Sequence, residues 1–500
     1  MTSGTTLPAR TSLSVLTLDG TAPADRELLG GKAYSINKMR ALDLPVPPAF
    51  ALTTAVCKRF HDEGGALPDD VWSAVLDHLH ELETTTGKRF GVGPFPLLVS
   101  VRSGAAQSMP GMMDTVLNLG LTEDLARELG EVTGDVDWAQ DTWQRFCTGY
   151  GDIVLGDSAL MPPADPYDQL REAIGAVFRS WTNDRVRAYR ERHGLGEGGG
   201  TAVTVQAMVF GNRDTHSGTG VVFSRDPGTG ESTLFGEWLA MAQGEDVVSG
   251  ERTPENITQF GTHDPELHRE LVRIATVLER EHRDLVDIEF TVESGTLYML
   301  QCRSGKRSAR AAVRVAVELV REGLLTPDEA CARISADQAR LLADEVGVTH
   351  DADELARGVG AGPGAASRVV FTDTDEASAA AAEGTPVVLV RPSTSPADVP
   401  AMFDSVAVVT EVGGTTSHAA LVCREIGLPC VVGCGAGVTS ALEGTTVTVD
   451  GTNGVVYAGD ARGDASATDP HLDELLSFLP ETLPDDHPLS VLHRRQALRD

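Results

Sequence analysis

The chain has 500 residues, enough for two to three domains with sizeable hydrophobic cores. Apolar residues make up 41% and charged residues 23%, and the formal net charge is −32. That charge argues against nucleic acid or an anionic membrane as main partner, since both repel such a surface, and an anionic substrate then needs local basic residues. The opening MTSGTTLPARTSLSVLTLDG lacks the basic flank and apolar run of a signal peptide. No window approaches the ~18 apolar residues of a membrane span. The cysteines are seven, an odd number, and scattered, so a reducing cytoplasm is expected rather than a disulfide framework. Cys423, Cys430 and Cys434 cluster at spacings unlike zinc sites and read as small buried residues.

In chain order, the first chemically suggestive stretch is LLGGKAYSINKM. Arginine dominates the basic residues; the lysines are Lys32, Lys38, Lys58, Lys88 and Lys306. A glycine-flanked Lys32 offers a compact ammonium suited to a phosphate, or is an ordinary surface charge. DDVWSAVLDHLHELETTTGKRF has helical periodicity, and PLLVSVRSGA reads as a strand running into a loop. In SVRSGAAQSMPGMMDTVLNLGL, Arg102 comes off that strand, and a loop rich in Gly and Met follows, either a phosphate lid or a plain surface loop. GTAVTVQAMVFGN is a second strand and DPELHRELVRIATVLEREHRDL a helix.

VDIEFTVESGTLYMLQCRSGKR is then a hairpin. A three-residue loop at Ser294, Gly295 and Thr296 would set Glu289 opposite Gln301 and Asp287 opposite Arg303, with Ile288, Phe290, Leu300 and Cys302 on the other face. The polar face is either merely solvated or a magnesium–nucleotide face, whose hard oxygens suit Mg²⁺ and whose arginine suits a phosphate. SARAAVRVAVELVREGLLTPDEACARISADQARLLADEV is helical and polar-faced with a break near Gly323, an arm joining two domains.

From about Gly358 short apolar strands alternate with Ala-rich helices, a compact α/β unit. It contains TEVGGTTSHAALVCREIGLP. His418 opens a helix there, near its positive end and free N–H groups, where a neutral imidazole is a competent nucleophile and an added phosphoryl group would be held. Thr415, Thr416 and Ser417 are candidates to cap the helix or bind that phosphate, and Gly427 with Pro429 ends it. A histidine that only caps or packs is the other reading. The expected division is 1–335, a helical linker 336–357, the α/β unit 358–462, and an acidic, Pro-containing tail 463–500.

SVRSGAAQSMPGMMDTVLNLGL, GTAVTVQAMVFGN, SGTGVVFSRDPGTGE, GEWLAMAQGEDVVSGERTPENI, DIEFTVESGTLYMLQCRSGKR and GGTTSHAA together, in this order, closely resemble the pyruvate, phosphate dikinase family. The resemblance spans most of residues 25 to 460 and implies an α/β and α+β multidomain fold, an ATP-grasp nucleotide-binding domain followed by a swivelling phosphohistidine domain. It implies that His418 attacks the β-phosphorus of ATP, that inorganic phosphate removes the γ-phosphoryl as pyrophosphate, and that the phosphohistidine serves pyruvate on a (β/α)₈ barrel. By motif, Lys32 and Arg102 would hold the polyphosphate, with Arg145 and Arg252. Asp287, Glu289 and Gln301 would organise Mg²⁺ and the nucleotide, and Arg303 would touch phosphate. Gln206 to Val209, Met208 included, would line the adenine pocket through their backbone. Gly413, Gly414, Thr416 and Ser417 would support the phosphohistidine.

Three departures stand out. The chain stops where the barrel would begin, a helical insert after GYGDIVLGD is shortened, and Thr415 replaces a usual methionine. The leading expectation is a cytoplasmic dikinase half using ATP and inorganic phosphate. Its acceptor would be pyruvate, giving phosphoenolpyruvate on a separate barrel protein, or another small molecule. A small-molecule (antibiotic-type) dikinase and a non-catalytic phosphocarrier or nucleotide sensor are the alternatives. Oligomeric state is not readable from the sequence.

Overall fold

The computed structural model describes residues 14–23, 25–107, 115–183, 186–187, 190, 199–244, 246, 254–343, 347–348, 352–362, 364–415, 417–463 and 469–479. The chain divides into two compact units, residues 1–213 with 298–302, and residues 214–297 with 303–500.

In the first unit, β1 (Val15–Thr17), β2 (Ala49–Leu52), β3 (Val99–Gly104), β4 (Thr115–Leu119) and β5 (Ala202–Ala207) form an antiparallel sheet in the order β1-β2-β5-β3-β4. The two strands expected from PLLVSVRSGA and GTAVTVQAMVFGN are β3 and β5, adjacent, with Val101 opposite Val205 and Arg102 opposite Thr204. Every residue of β5 is buried, because helices Arg26–Ala41 and Pro166–Ser180 both pack on β3 and β5. The helix Asp69–Thr86 buries Val71, Val75, Leu79 and Leu82, one face at helical spacing, with two aspartates in its first turn and Gly87 at φ 69° as its stop. Phe50, Phe60, Phe90, Phe146 and Phe178 fill the core, each fully buried aromatic contributing about 1.5–3 kcal/mol of transfer free energy.

The second unit begins with β6 (Gly218–Phe223), β7 (Phe235–Ala240), β8 (Glu255–Asn256), β9 (Val286–Glu293) and β10 (Thr296–Ser304), ordered β10-β9-β6-β7-β8. Residues Tyr298–Cys302 of β10 belong to the first unit. The helix Pro265–His282 starts as its sequence dictates: Asp264 accepts the N–H of Leu267, and proline takes the first position, where no donor is needed. The β9–β10 hairpin differs from expectation in its turn. The loop has two residues, Ser294 and Gly295, both with positive φ (48° and 78°), the twist-matched geometry of tight hairpins. Ile288, Phe290 and Cys302 are buried as expected, but Leu300 is only half-buried and Met299 is buried in its place.

The arm after β10 forms helices Ala309–Arg321, Pro327–Ala332 and Ala336–Ala343, broken at Gly323 with φ 74°. Its face is apolar rather than polar: Ala311, Ala312, Val313, Val315, Ala316, Val317 and Leu319 are buried. At its side Arg225, 1% exposed, meets Glu279 at 2.8 Å, Glu318 at 2.6 Å and Glu322 at 2.8 Å, so the buried guanidinium is satisfied on several sides. Among the described residues of the 336–357 stretch, only Ala336–Ala343 are helical. It continues as β11 (Gly347–Val348) and β12 (Glu354–Arg357), and β12 is an edge strand of the next sheet. Nor is the described part of 463–500 simply a tail: Leu475 of helix Pro470–Ser477, and Leu479 just after it, enter the core of the arm.

That next sheet has eight strands: β12, β13 (Val359–Gly362), β14 (Ala365–Phe371), β15 (Val387–Arg391), β16 (Ala407–Thr410), β17 (Cys430–Val432), β18 (Thr446–Asp450) and β19 (Val455–Ala458), ordered β12-β19-β18-β14-β15-β16-β17-β13. Strands β14 to β17 run parallel, and the outer strands join them antiparallel. One apolar cluster lies under helices Thr374–Ala382, Val399–Asp404 and His418–Ile426, and a second holds Val388, Val390, Val409, Val431 and Val449. A helix carried on the parallel strands is thereby aimed from their carboxyl ends, where sites of such sheets form.

Candidate active site

β16 ends at Thr410, and the chain turns through Gly413 and Gly414 into the His418–Ile426 helix. Gly413 has φ +116°, and a Cβ there would stand 3.0 Å from that of Ser417, so the turn requires glycine. Ser417 N donates to Gly414 O (3.1 Å), and Leu421 N to Ser417 O (3.0 Å) starts the helix. Ser417 takes the cap position, but its hydroxyl makes no capping bond; Oγ is buried without a hydrogen-bond partner. Thr416 lies outside the described residues. The helix seats Ala419, Ala420 and Cys423 in the core and stops at Gly427, φ 73°. Small inward residues bring its first turn close to the sheet.

The imidazole of His418 is half-buried, and its Nδ1 lies 3.2 Å from Thr394 Oγ1. Burial lowers its pKa below the ordinary 6.5, with Asp398 opposing. Asp398 is itself tied down: Oδ2 accepts from Ser395 N (2.7 Å) and Ser395 Oγ (2.9 Å). With Nδ1 engaged by Thr394 and burial disfavouring the imidazolium, such a ring has Nε2 available as a nucleophile. Thr394 and Asp398 did not figure in the sequence reading. Their signal was the Ser395-Pro396-Ala397-Asp398 capping pattern.

Two further groups near the histidine loop were also missed. Glu237 on β7 accepts from Thr415 N and Oγ1, and Arg424, about 1.7 turns beyond His418 on the same helix, lays its guanidinium 5.3 Å over the Phe223 ring. Burial lowers the pKa of Arg424, and the carboxylates of Asp287 and Glu237 counteract it.

Asp287 on β9 accepts from Arg303 Nε at 2.9 Å, so these two side chains meet, although the two-residue turn is not the one from which their facing positions were expected. Its other oxygen, Oδ1, is buried with no hydrogen-bond partner. Burial raises the pKa of this carboxyl, Arg303 opposes, and Glu289 adds to the rise. Gln301 Oε1 on β10 is likewise buried and unpartnered. Orphaned carboxylate and amide oxygens are the hard donors Mg²⁺ takes. Among the described residues no group of three or more His, Cys, Asp or Glu could hold a metal. A magnesium ion bound by one or two carboxylates and completed by phosphates fits the orphaned oxygen of Asp287.

In the first unit, Lys32 sits on helix Arg26–Ala41, which kinks at Gly30 (φ 70°, ψ 167°). The glycine pair has a packing cause: a Cβ on Gly30 would meet Gly104 O at 1.7 Å, and Gly31 N donates to Ala105 O at 2.8 Å. This close approach lays Lys32 beside the end of β3, the strand carrying Arg102; Gly104 would meet Lys32 Cβ at 3.5 Å. Gln206 is buried on β5 and donates its amide to Pro47 O (3.2 Å), so its side chain serves the fold. Met208 N is taken by Leu98 O (2.9 Å), and Val209 follows beyond the strand end. Arg145, on helix Val136–Tyr150, pairs with Asp141 at 2.8 Å. Arg252 and the 108–114 part of the Met-rich loop lie outside the described residues.

A family described as "Pyruvate phosphate dikinase, AMP/ATP-binding domain" matches residues 63–269 and 263–323, and one described as "PEP-utilising enzyme, mobile domain" matches residues 384–454. The "Pyruvate, phosphate dikinase" of Rhizobium meliloti (strain 1021) is 42% identical over 504 residues, covering 87% of this chain and 56% of the relative. That of Clostridium symbiosum is 39% identical over 494 residues, with 87% and 56% covered. "Pyruvate, phosphate dikinase 1, chloroplastic" of Zea mays is 41% identical over 456 residues, with 82% and 48% covered. The chain thus spans about half the length of the curated relatives it matches.

Proposed function

Because the chain belongs to the pyruvate, phosphate dikinase family, we propose that it performs the nucleotide half of a dikinase reaction and stores the phosphoryl group on His418. The carrying observation is a half-buried imidazole at a helix start, its Nδ1 3.2 Å from Thr394 Oγ1, in surroundings whose burial disfavours the charged form. Nε2 gives its electron pair to the β-phosphorus of ATP, the bond to the α,β-bridging oxygen breaks, and AMP leaves. An oxygen of inorganic phosphate then attacks the γ-phosphorus, pyrophosphate departs, and phosphohistidine remains. The N–H groups of the helix start and the Ser417 hydroxyl, which is buried and unpartnered, suit the added oxygens.

Lys32 and Arg102 hold the polyphosphate, Arg145 and Arg252 assist, and the backbone from Gln206 through Met208 to Val209 lines the base. Asp287, Glu289 and Gln301 hold Mg²⁺, which when bound neutralises phosphate charge, and Arg303 contacts phosphate. The domains are the nucleotide-binding part to about 335 and the phosphohistidine part from β12 to 462. The stored phosphoryl passes to pyruvate on a separate partner, or to another small acceptor. A cytoplasmic setting agrees with seven free thiols; no helix among the described residues is long and apolar enough to cross a membrane.

The test is ATP labelled separately at the β and γ positions, with and without phosphate. The expected result is β-label retained on the protein in acid-labile form, γ-label in pyrophosphate, and neither in His418→Ala. AMP release from His418→Ala at the parent rate refutes the proposal.

A further inference from the structure

Glu237 lies on β7 and is 8% exposed. Its Oε1 accepts twice from one residue of the histidine loop, from Thr415 N at 2.6 Å and from Thr415 Oγ1 at 3.0 Å. Thr415 is 5% exposed, so both bonds are screened from water. The approach is close enough that a Cβ on Gly414 would stand 2.1 Å from the same oxygen. The second glycine of GGTTSH thus leaves room for a carboxylate 177 positions away in the chain, which a Cβ there would displace; its own backbone angles do not call for glycine, since its φ is not positive. Farther along the same helix, Arg424 stacks over Phe223 of β6, the neighbour of β7, and is drawn by Asp287 of β9. The histidine segment is thus attached to the β9-β6-β7 sheet at two points, one on each side of His418.

We propose that Glu237 is a positioning residue for phosphoryl transfer to His418: it captures Thr415 through backbone and side chain together and so holds the imidazole in its nucleotide-facing dock. This deepens the proposed function and rests on it. Any residue but proline at 415 supplies the N–H; the second bond needs the hydroxyl. A hydrogen bond to a charged acceptor changes an equilibrium by roughly ten- to hundredfold, so losing the hydroxyl alone moves the docked fraction by about tenfold.

Four variants of the full chain test this: Thr415→Val, Thr415→Ser, Glu237→Gln, and Thr415→Val with Glu237→Gln. Two readouts are taken: single-turnover labelling of His418 from ATP with phosphate, and hydrogen exchange of the Thr415 amide without nucleotide. Thr415→Val should slow labelling by about tenfold and speed exchange by about as much, with the half-saturating ATP concentration unchanged. Thr415→Ser should recover both. The double variant should be no slower than Glu237→Gln alone, because the lost hydroxyl has nothing charged left to bind.

Four results overturn the proposal: Thr415→Val behaving as the parent, Thr415→Ser failing as Val does, additive effects in the double variant, or a change confined to ATP affinity. If the parent never labels His418, the proposed function fails, while the exchange cycle still decides whether Glu237 holds the loop.

Discussion

Gly30→Ala is the sharpest test of how the first unit positions Lys32. At φ 70° and ψ 167° the residue occupies a region open essentially to glycine alone, which costs another residue about 1–3 kcal/mol. The added methyl would also stand 1.7 Å from Gly104 O and 2.6 Å from Gly104 C, backbone atoms of β3 that cannot rotate away. Overpacking of that kind costs about 1–3 kcal/mol more. The expected loss is therefore about 2–6 kcal/mol, read as a lower urea midpoint by circular dichroism. Lys32 moves with the helix, so ATP affinity measured by calorimetry should fall as well. Gly31→Ala is the control: its φ is not positive, and its new Cβ would lie 3.3 Å from Ala105 O, so a shift within about 1 kcal/mol is expected. Should Gly30→Ala stay within about 1 kcal/mol of the parent and bind ATP equally well, the close packing of helix on strand does not position Lys32.

Other outcomes follow from the second unit. Since burial holds His418 below 6.5, its uncharged form persists under mildly acidic conditions. The acid limb of His418 labelling should have its midpoint below pH 6.5, and Asp398→Asn, which removes the charge opposing that shift, should move it lower still. The sign for stability agrees: a histidine depressed in the folded state favours folding above its unfolded pKa, and that contribution is lost as pH falls through the interval between the two values. Asp287→Asn should lower the labelling rate by about 10²–10³-fold, measured at saturating ATP over a magnesium titration, because a charged oxygen donor is replaced by a neutral one. Leu475→Ala should destabilise the second unit by about 2–5 kcal/mol in urea unfolding, since the side chain is wholly buried against the 309–321 arm.

Much of this was legible in the chain because it depends on neighbours in sequence. Helix Asp69–Thr86 is written by its apolar spacing and terminal glycine, and helix Pro265–His282 by Asp264 and Pro265. The break at Gly323, the start of the His418 helix and its stop at Gly427 are equally local. The motifs likewise identify the family, because spacing within each is kept by one turn or one strand.

Contacts between distant segments were not legible. The glycines before Lys32 drew attention to it as a phosphate ligand, yet the space Gly30 and Gly31 leave is filled by β3 and the loop after it. The 309–321 arm read as polar-faced because the helix that covers it, Pro470–Ser477, comes some 150 residues later and looks like tail composition. Thr394 at the imidazole and Glu237 at Thr415 have no spacing rule tying them to His418. Sequence determines which local shapes a segment can adopt, since sterics and hydrogen bonding act over a few residues. Which oxygen faces which donor is decided by packing of whole elements, where burial sets the strength of each bond and the protonation of each group.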